Sequence, residues 1–279
     1  MVIMFMENVK WLFVMGILYL MNYKVMNMKG RDIKLERKSK YKILENTKIA
    51  KDVFKMILEG DTTYITRPGQ FINIEIEGFY LRRPISVCDY DENTITIIYK
   101  IMGNGTEKMS TLKNGSVLDI LTGLGNGFNI NCKGDIPLLV GGGVGTPPMY
   151  RLCKVLQEKG KKPIVVLGFN SKDDMFYEKE FKDLGVDVYL STVDGSYGTK
   201  GFVTDIIKDL KDYTYFYACG PINMLKAVSD VTECEGQLSF EERMGCGFGA
   251  CMGCTCKTKY ANKRICKDGP VLRKEEIIW

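Results

Sequence analysis

Five of the ten cysteines in this 279-residue chain fall between Cys246 and Cys266. Four of them, Cys246, Cys251, Cys254 and Cys266, follow the spacing C-x4-C-x2-C-x11-C. Three thiolates from one tight loop and a fourth from a later segment can close a tetrahedral sulfur cage. The loop GCGFGACMGC is rich in glycine, so backbone can wrap close to an inorganic group and aim N–H donors at its sulfurs. The order C-x4-C-x2-C…C is the plant-type 2Fe-2S spacing, with a shorter last gap. Zinc is the competing metal, although structural zinc sites usually carry two C-x2-C knuckles and one is present here. A zinc-stabilised binding protein is therefore the alternative of a different class. Alternation after Cys254 turns Cys256 away from the cage. Cys88, Cys132, Cys153 and Cys234 are expected to be small buried hydrophobes. The chain has no histidine, which excludes a Rieske centre, His-ligated zinc or haem, and His-based acid–base chemistry.

Other residues of chemical interest lie upstream. In Arg82-Arg83-Pro84-Ile85-Ser86, a guanidinium can bind a pyrophosphate in bidentate fashion and a hydroxyl can reach phosphate or ring oxygens. Ile98-Tyr99-Lys100 ends a strand-like run, and Gly103-Asn104-Gly105-Thr106 opens the next segment as a candidate diphosphate cradle ahead of a helix expected over Thr106–Leu112. Gly141-Gly142-Gly143-Val144-Gly145-Thr146-Pro147-Pro148 lies between a buried strand and a helix, where open α/β sheets bind nucleotides. It is not the G-x-G-x-x-G fingerprint of an ordinary Rossmann dehydrogenase. Cys219-Gly220-Pro221 joins a later strand to a helix on the same sheet edge. Each fragment alone is also compatible with a simple turn; their order and separation carry the joint signal.

The elements that must hold these residues divide into regions. Residues 41–133 show closely spaced strand patterns (QFINIEI, TITIIYKI) punctuated by turns such as Arg67-Pro68-Gly69 and Lys113-Asn114-Gly115, which predicts an antiparallel β-barrel. Residues 134–232 alternate strands and helices, which predicts a parallel α/β sheet. There the helix over Pro147–Lys159 presents Met149, Leu152, Cys153 and Leu156 on one face, and further helices are expected over Tyr177–Leu184, Val203–Leu210 and Ile222–Val231. Residues 233–279 form a small cysteine-rich module. The fold class is thus all-β followed by α/β.

Residues 1–40 stand apart as an extension, with Met26 or Met28 as alternative starts. Trp11–Tyr23 is apolar but has only thirteen residues, against about 20 for a bilayer-spanning helix. No clear cleavage site follows it, and a membrane role and a secretory signal are not expected. The net charge of +5 is modest and concentrated in Lys29–Lys42. No basic patch interleaved with aromatics argues for nucleic-acid binding.

Together RRPIS, IYKIMGNGT, GGGVGTPPM, ACGP, and EERMGCGFGACMGCTCKT followed by RICKDGP resemble the ferredoxin-NADP reductase superfamily, and within it the electron-transfer subunits of dihydroorotate dehydrogenase B. The resemblance runs from about Tyr41 to the C-terminus. It implies FAD bound through Arg83, Pro84, Ile85, Ser86, Ile98, Tyr99, Lys100, Gly105 and Thr106, and a 2Fe-2S cluster on Cys246, Cys251, Cys254 and Cys266. NAD would meet Gly142, Gly143, Gly145, Cys219, Gly220 and Pro221. It further implies a cytoplasmic heterotetramer, two copies of this chain with two of an FMN-containing catalytic subunit. Electrons would run from dihydroorotate through FMN, cluster and FAD to NAD+. A related subunit serving a sulfide dehydrogenase, a hydrogenase or a ferredoxin:NADP oxidoreductase is the alternative. No acid–base constellation for dihydroorotate oxidation is evident, and the strand ending Leu167-Gly168-Phe169-Asn170 carries no acidic residue for a ribose, so NAD over NADP follows from the resemblance alone.

Overall fold

The computed structural model describes residues 38–279; the apolar run Trp11–Tyr23 lies outside them. Six strands close a barrel in the order β1-β2-β5-β4-β3-β6. These are β1 (Lys38–Ala50), β2 (Val53–Glu59), β3 (Phe71–Ile74), β4 (Arg83–Tyr90), β5 (Thr94–Lys100) and β6 (Val117–Leu124). All pairings recorded between them are antiparallel. The two-residue turn between β1 and β2 places Asp52 at φ 56, a left-handed conformation that Asp tolerates through its short polar side chain. Period-two alternation sends Tyr41, Ile43, Met56, Leu58, Ile72 and Ile95 into one apolar interior.

A short helix, α1 (Asn104–Ser110), leads into β6. It starts two residues before the expected position, because Glu107 N–H already bonds to Gly103 C=O at 3.0 Å.

Seven strands form the second sheet, in the order β10-β9-β8-β7-β11-β12-β15. The central strand β7 (Pro137–Gly142) is buried along its whole length, as a parallel strand covered on both faces must be. Parallel to it run β8 (Ile164–Phe169), β9 (Asp187–Thr192), β10 (Thr199–Lys200), β11 (Tyr215–Cys219) and β12 (Gly236–Ser239). The antiparallel edge strand β15 (Val271–Arg273) completes the sheet. Thus two strands from beyond residue 232 extend the nucleotide sheet. The cysteine loop that lies between them in sequence is anchored through it. Within that loop a separate hairpin pairs β13 (Thr255–Lys257) with β14 (Asn262–Arg264).

The helices follow the expected alternation. Helix α2 (Thr146–Glu158) has prolines in its first turn, where their missing N–H groups cost nothing. Its Met149, Leu152, Cys153 and Leu156 are all fully buried. Helix α3 (Glu178–Asp183) and helix α4 (Val203–Ile207) are shorter than expected. After Ile207 the chain tightens to i→i−3 bonds, with Asp209 and Leu210 donating to Ile206 and Ile207. Helix α5 (Ile222–Val231) matches its expected span.

Both faces of the sheet share their apolar clusters with the barrel. Val53, Cys88 and Ile98 pack with α2 and its face of the sheet. Phe71, Leu121 and Leu124 pack on the other face with Val140, Leu225 and three of the loop cysteines. No helix among the described residues is long and apolar enough to cross a membrane.

Candidate functional site

The four spaced cysteines meet. Cys246, Cys254 and Cys266 are buried and Cys251 is half-buried. The Cys246 thiol interacts with those of Cys266 and Cys251, and the Cys266 thiol with that of Cys254. Among the described residues no three acidic or cysteine side chains gather around a single ion position; the thiols instead form a chain of contacts in the order Cys251, Cys246, Cys266, Cys254. The Cys266 thiol and the backbone N–H groups of Cys251 and Phe248 pull Cys246 well below the usual thiol range, while contact with Cys246 and burial push Cys266 up. Ala250 N–H and Cys251 N–H point at Cys246 Sγ at 3.2 and 3.4 Å, and Cys266 N–H at Cys254 Sγ at 3.4 Å. Donors aimed at sulfur suit an electron-rich, negatively charged sulfur cage. Arg264 braces the loop from outside, donating to Gly249 C=O at 2.9 Å while paired with Asp268 at 2.9 Å. Cys256 sits on β13 opposite Lys263 and makes none of these sulfur contacts. Cys88 and Cys153 are fully buried, whereas Cys132 and Cys234 are only half-buried.

The residues assigned to a flavin lie at the start of β4, at the end of the neighbouring strand β5 and on α1. Arg82 is committed to structure: it pairs with Glu75 and Asp119. Arg83 instead lies across the start of α1, with its guanidinium over the Phe79 ring at 4.9 Å and against Gly105, where any side chain would collide with it. Folding thus brings Arg83 and Gly105 together from separate segments. The Thr106 hydroxyl holds the turn, donating to Gly103 C=O and accepting from Met102 N–H. Pro84, Ile85 and Ser86 lie on β4, half-buried, with Ser86 opposite Phe71 of β3. Ile98 and Tyr99 turn their side chains into protein: Ile98 packs toward α2, and Tyr99 O–H donates to Asn46 at 2.8 Å. Burial pushes the Tyr99 hydroxyl above its ordinary value. Any contact from Ile98 or Tyr99 to a ligand at the surface is therefore through backbone.

Lys100 lies elsewhere than the other flavin candidates suggest. It lines a cavity of about 440 Å³ at the carboxyl ends of the parallel strands, and pairs with Asp174 at 3.4 Å. Strand order reverses direction between β7 and β11, so the cavity opens where doubly wound sheets bind nucleotides. Gly142, Gly143 and Pro221 line it. Gly145, Cys219 and Gly220 support it from below: a Cβ on Gly145 would strike the Cys219 carbonyl, so only glycine lets α2 start this close to the end of β11. Burial pushes the Cys219 thiol up to about 12, so it stays neutral.

Sequence reasoning considered the strand end at Asn170 but missed Asp174, Ser191 and Phe202 in the cavity wall. They carry no motif; only strand order collects them. Ser191 Oγ is buried there without a partner. An orphaned hydroxyl in a glycine-edged cleft fits a ligand with hydroxyl or phosphate groups.

Comparison with known proteins agrees with this geometry. Residues 139–230 match the family described as oxidoreductase NAD-binding domain, and residues 241–278 match the iron-sulfur cluster binding domain of dihydroorotate dehydrogenase B. The chain is 47% identical over 248 residues to the dihydroorotate dehydrogenase B (NAD(+)) electron transfer subunit of Fusobacterium nucleatum, covering 84% of this chain and 95% of that one. The chain belongs to the family of dihydroorotate dehydrogenase B (NAD+) electron transfer subunits. The family's subunit from Bacillus mycoides is 43% identical, over 85% of this chain and 96% of that one. Among solved structures, one of the NADH-dependent reduced ferredoxin-NADP oxidoreductase superposes with a TM-score of 0.79 at 32% identity, covering 86% of this chain and 90% of that one. Phthalate dioxygenase reductase, at 22% identity and a TM-score of 0.60 over 70% of this chain and 64% of that one, shares the fold. Within the family of electron transfer subunits, the iron-sulfur match spans the whole cysteine loop, and the NAD-binding match spans both glycine turns of the cavity.

Proposed function

We propose that this chain binds FAD along β4 and the Arg83–Gly105 contact, NAD in the sheet-edge cavity, and a 2Fe-2S cluster on Cys246, Cys251, Cys254 and Cys266. In this reading it pairs with an FMN-containing dihydroorotate dehydrogenase catalytic subunit, two copies of each, in the cytoplasm. Electrons from dihydroorotate oxidation in that partner pass through cluster and FAD to NAD+. The cofactors supply the redox chemistry; this chain's residues bind them, space them and keep water away. The observation that carries the reading is the position of the barrel. Its strand β3, beside β4, touches the cluster loop through Asn73 and Cys246, and its strand β5 ends at Lys100 in the nucleotide cavity. A flavin on this barrel would lie between an electron entrance and a hydride exit.

Arg83 carries the fit for FAD: its guanidinium, seated on Gly105 at the start of α1, is a planar fork that a diphosphate can meet in bidentate fashion. Ser191 serves likewise for NAD. The contacting thiols, with N–H donors aimed at Cys246 and Cys254 Sγ, suit an electron-rich iron-sulfur cluster.

Co-purification with the natural partner tests the reading. Flavin, iron and sulfide should be present, and dihydroorotate should reduce NAD+ only when both chains are present. A colourless protein with stoichiometric zinc, or a reconstituted complex without dihydroorotate-dependent turnover, would overturn it. The likeness to a ferredoxin-NADP oxidoreductase favours one second reading, service to a different partner. It is the weaker one, because identity there is 32% against 47%.

A further inference from the structure

Asn73 is a buried polar residue that no motif singles out. It lies on β3, opposite Pro84 of β4, and is 1% exposed. Its Nδ2 donates to the backbone carbonyl of Cys246 at 3.3 Å, across 173 residues of sequence. Its Oδ1 is buried and accepts no hydrogen bond. The next residue of the loop, Gly247, sits at φ +79 with no room for a Cβ, because the Asn73 amide occupies that space. Phe71, two residues earlier on the same face of β3, shares the apolar cluster that contains Cys246, Cys254 and Cys266. Arg82 also reaches back to the Asn73 carbonyl at 3.4 Å.

A buried amide with one unsatisfied oxygen costs stability. An apolar residue of similar volume would pack here without that cost. What the amide adds is a directional bond from the flavin-bearing side of the barrel to the backbone of a cluster ligand. We propose that Asn73 is a positioning residue for electron exchange, fixing the Cys246 end of the cluster loop against the strand pair that carries Arg83–Ser86.

The inference rests on the proposed FAD and 2Fe-2S sites. A flavin bound here would take two electrons as a hydride from NADH and a proton from solvent, and a 2Fe-2S cluster on the four cysteines would supply one-electron chemistry, with an external one-electron acceptor such as ferricyanide removing each electron in turn. Single-electron exchange falls steeply with the separation and looseness of the two centres, so a slack loop slows that step and leaves hydride transfer alone.

The test compares the full-length wild-type chain with Asn73→Ala and Asn73→Leu. Flavin and iron content are measured first. Rapid mixing with NADH then follows flavin bleaching and, separately, the electron paramagnetic resonance signal of the reduced cluster. The expected result is unchanged flavin bleaching with cluster reduction slowed about tenfold, the usual scale for losing an outer hydrogen bond at a metal site. Leu fills the volume, so a defect shared by both variants belongs to the amide and not to a cavity. Cluster reduction at the wild-type rate in either variant overturns the inference. So does loss of iron from both, which would make the amide a folding staple. Wild-type protein without flavin or iron overturns the underlying cofactor assignment, and is distinguishable because it is seen before any variant is compared.

Discussion

Asp89, near the end of β4, accepts a hydrogen bond from Lys154 of α2 at 2.7 Å. Arg151, one turn earlier on the helix, reaches the same carboxylate at 3.4 Å and lays its guanidinium over the Tyr90 ring at 4.6 Å. The strand that carries this carboxylate begins with Arg83-Pro84-Ile85-Ser86. The helix that carries the two cations begins at the Gly143–Gly145 turn. The element bearing the flavin candidates is thus fastened directly to the one bearing the nucleotide turn.

Asp89→Asn is expected to loosen that clamp. The groups are partly exposed, so the loss of stability should be about 1 kcal/mol. The effect on hydride transfer should be larger than on binding: slower flavin reduction by NADH, with KM for NADH little changed, because the cavity itself is intact. A thermal melt and single-turnover reduction check both. An unchanged reduction rate would show that the clamp does not register the two cofactors.

Gly145→Ala should fail for a different reason. Its Cβ would meet the Cys219 backbone, which cannot swing aside as a side chain can. Overpacking of this kind costs about 1–3 kcal/mol. The start of α2 should move off β11 and NADH binding should weaken, while cluster absorbance persists. Titration of NADH binding, with iron content as the control, measures this.

Lys100→Met removes the cation facing Asp174 in the cavity wall. The remaining carboxylate should repel the phosphates of the dinucleotide. KM for NADH is expected to rise about fivefold, the equivalent of about 1 kcal/mol for a partly exposed pair, and Lys100→Arg should restore most of it. If KM is unchanged at low ionic strength, Lys100 serves the flavin side alone.

Cys251→Ala should abolish iron-sulfur absorbance and dihydroorotate-dependent NAD+ reduction. NADH oxidation by an artificial acceptor, which needs the flavin but not the cluster, should survive in part. Loss of flavin as well would mean that the loop holds the whole chain together.

Asp268 gives a pH dependence with a definite sign. Its hydrogen bonds with Arg264 hold its carboxyl below the usual carboxylate range. A depressed folded-state value contributes stability that is present above the unfolded value, about 3.9, and is lost as pH falls through the folded value. The difference in melting temperature between wild type and Asp268→Asn should therefore be full at neutral pH and shrink below about pH 4. A difference that is constant down to acid pH would show that the pair does not brace the cluster loop.

The legible parts of this protein were local. Period-two alternation wrote the barrel strands, the unbroken apolar run of β7 wrote a two-sided burial, and the spacing of four cysteines wrote a set of thiols in contact. Each of these follows from the geometry of a few neighbouring residues. Short helices were overdrawn, because an apolar pattern does not reveal that α4 tightens into i→i−3 turns after Ile207.

Juxtaposition was decided by the fold. Nothing in the sequence separates Arg82, tied to Glu75 and Asp119, from Arg83, laid across Gly105. Lys100 belongs to the IYK motif, yet it lines the cavity at the carboxyl ends of the parallel strands. Ser191 and Asn170 become neighbours only because parallel order sets β8 beside β9. Asn73 meets Cys246 only because β12 and β15 join the sheet and swing the intervening loop onto the barrel. Sequence by itself determined the strand pattern, the alternation of strands and helices and the grouping of the cysteines, since these depend on side-chain chemistry and short spacing. The tertiary structure decided which residues face one another, since that depends on contacts between residues far apart in the chain, which no local pattern encodes.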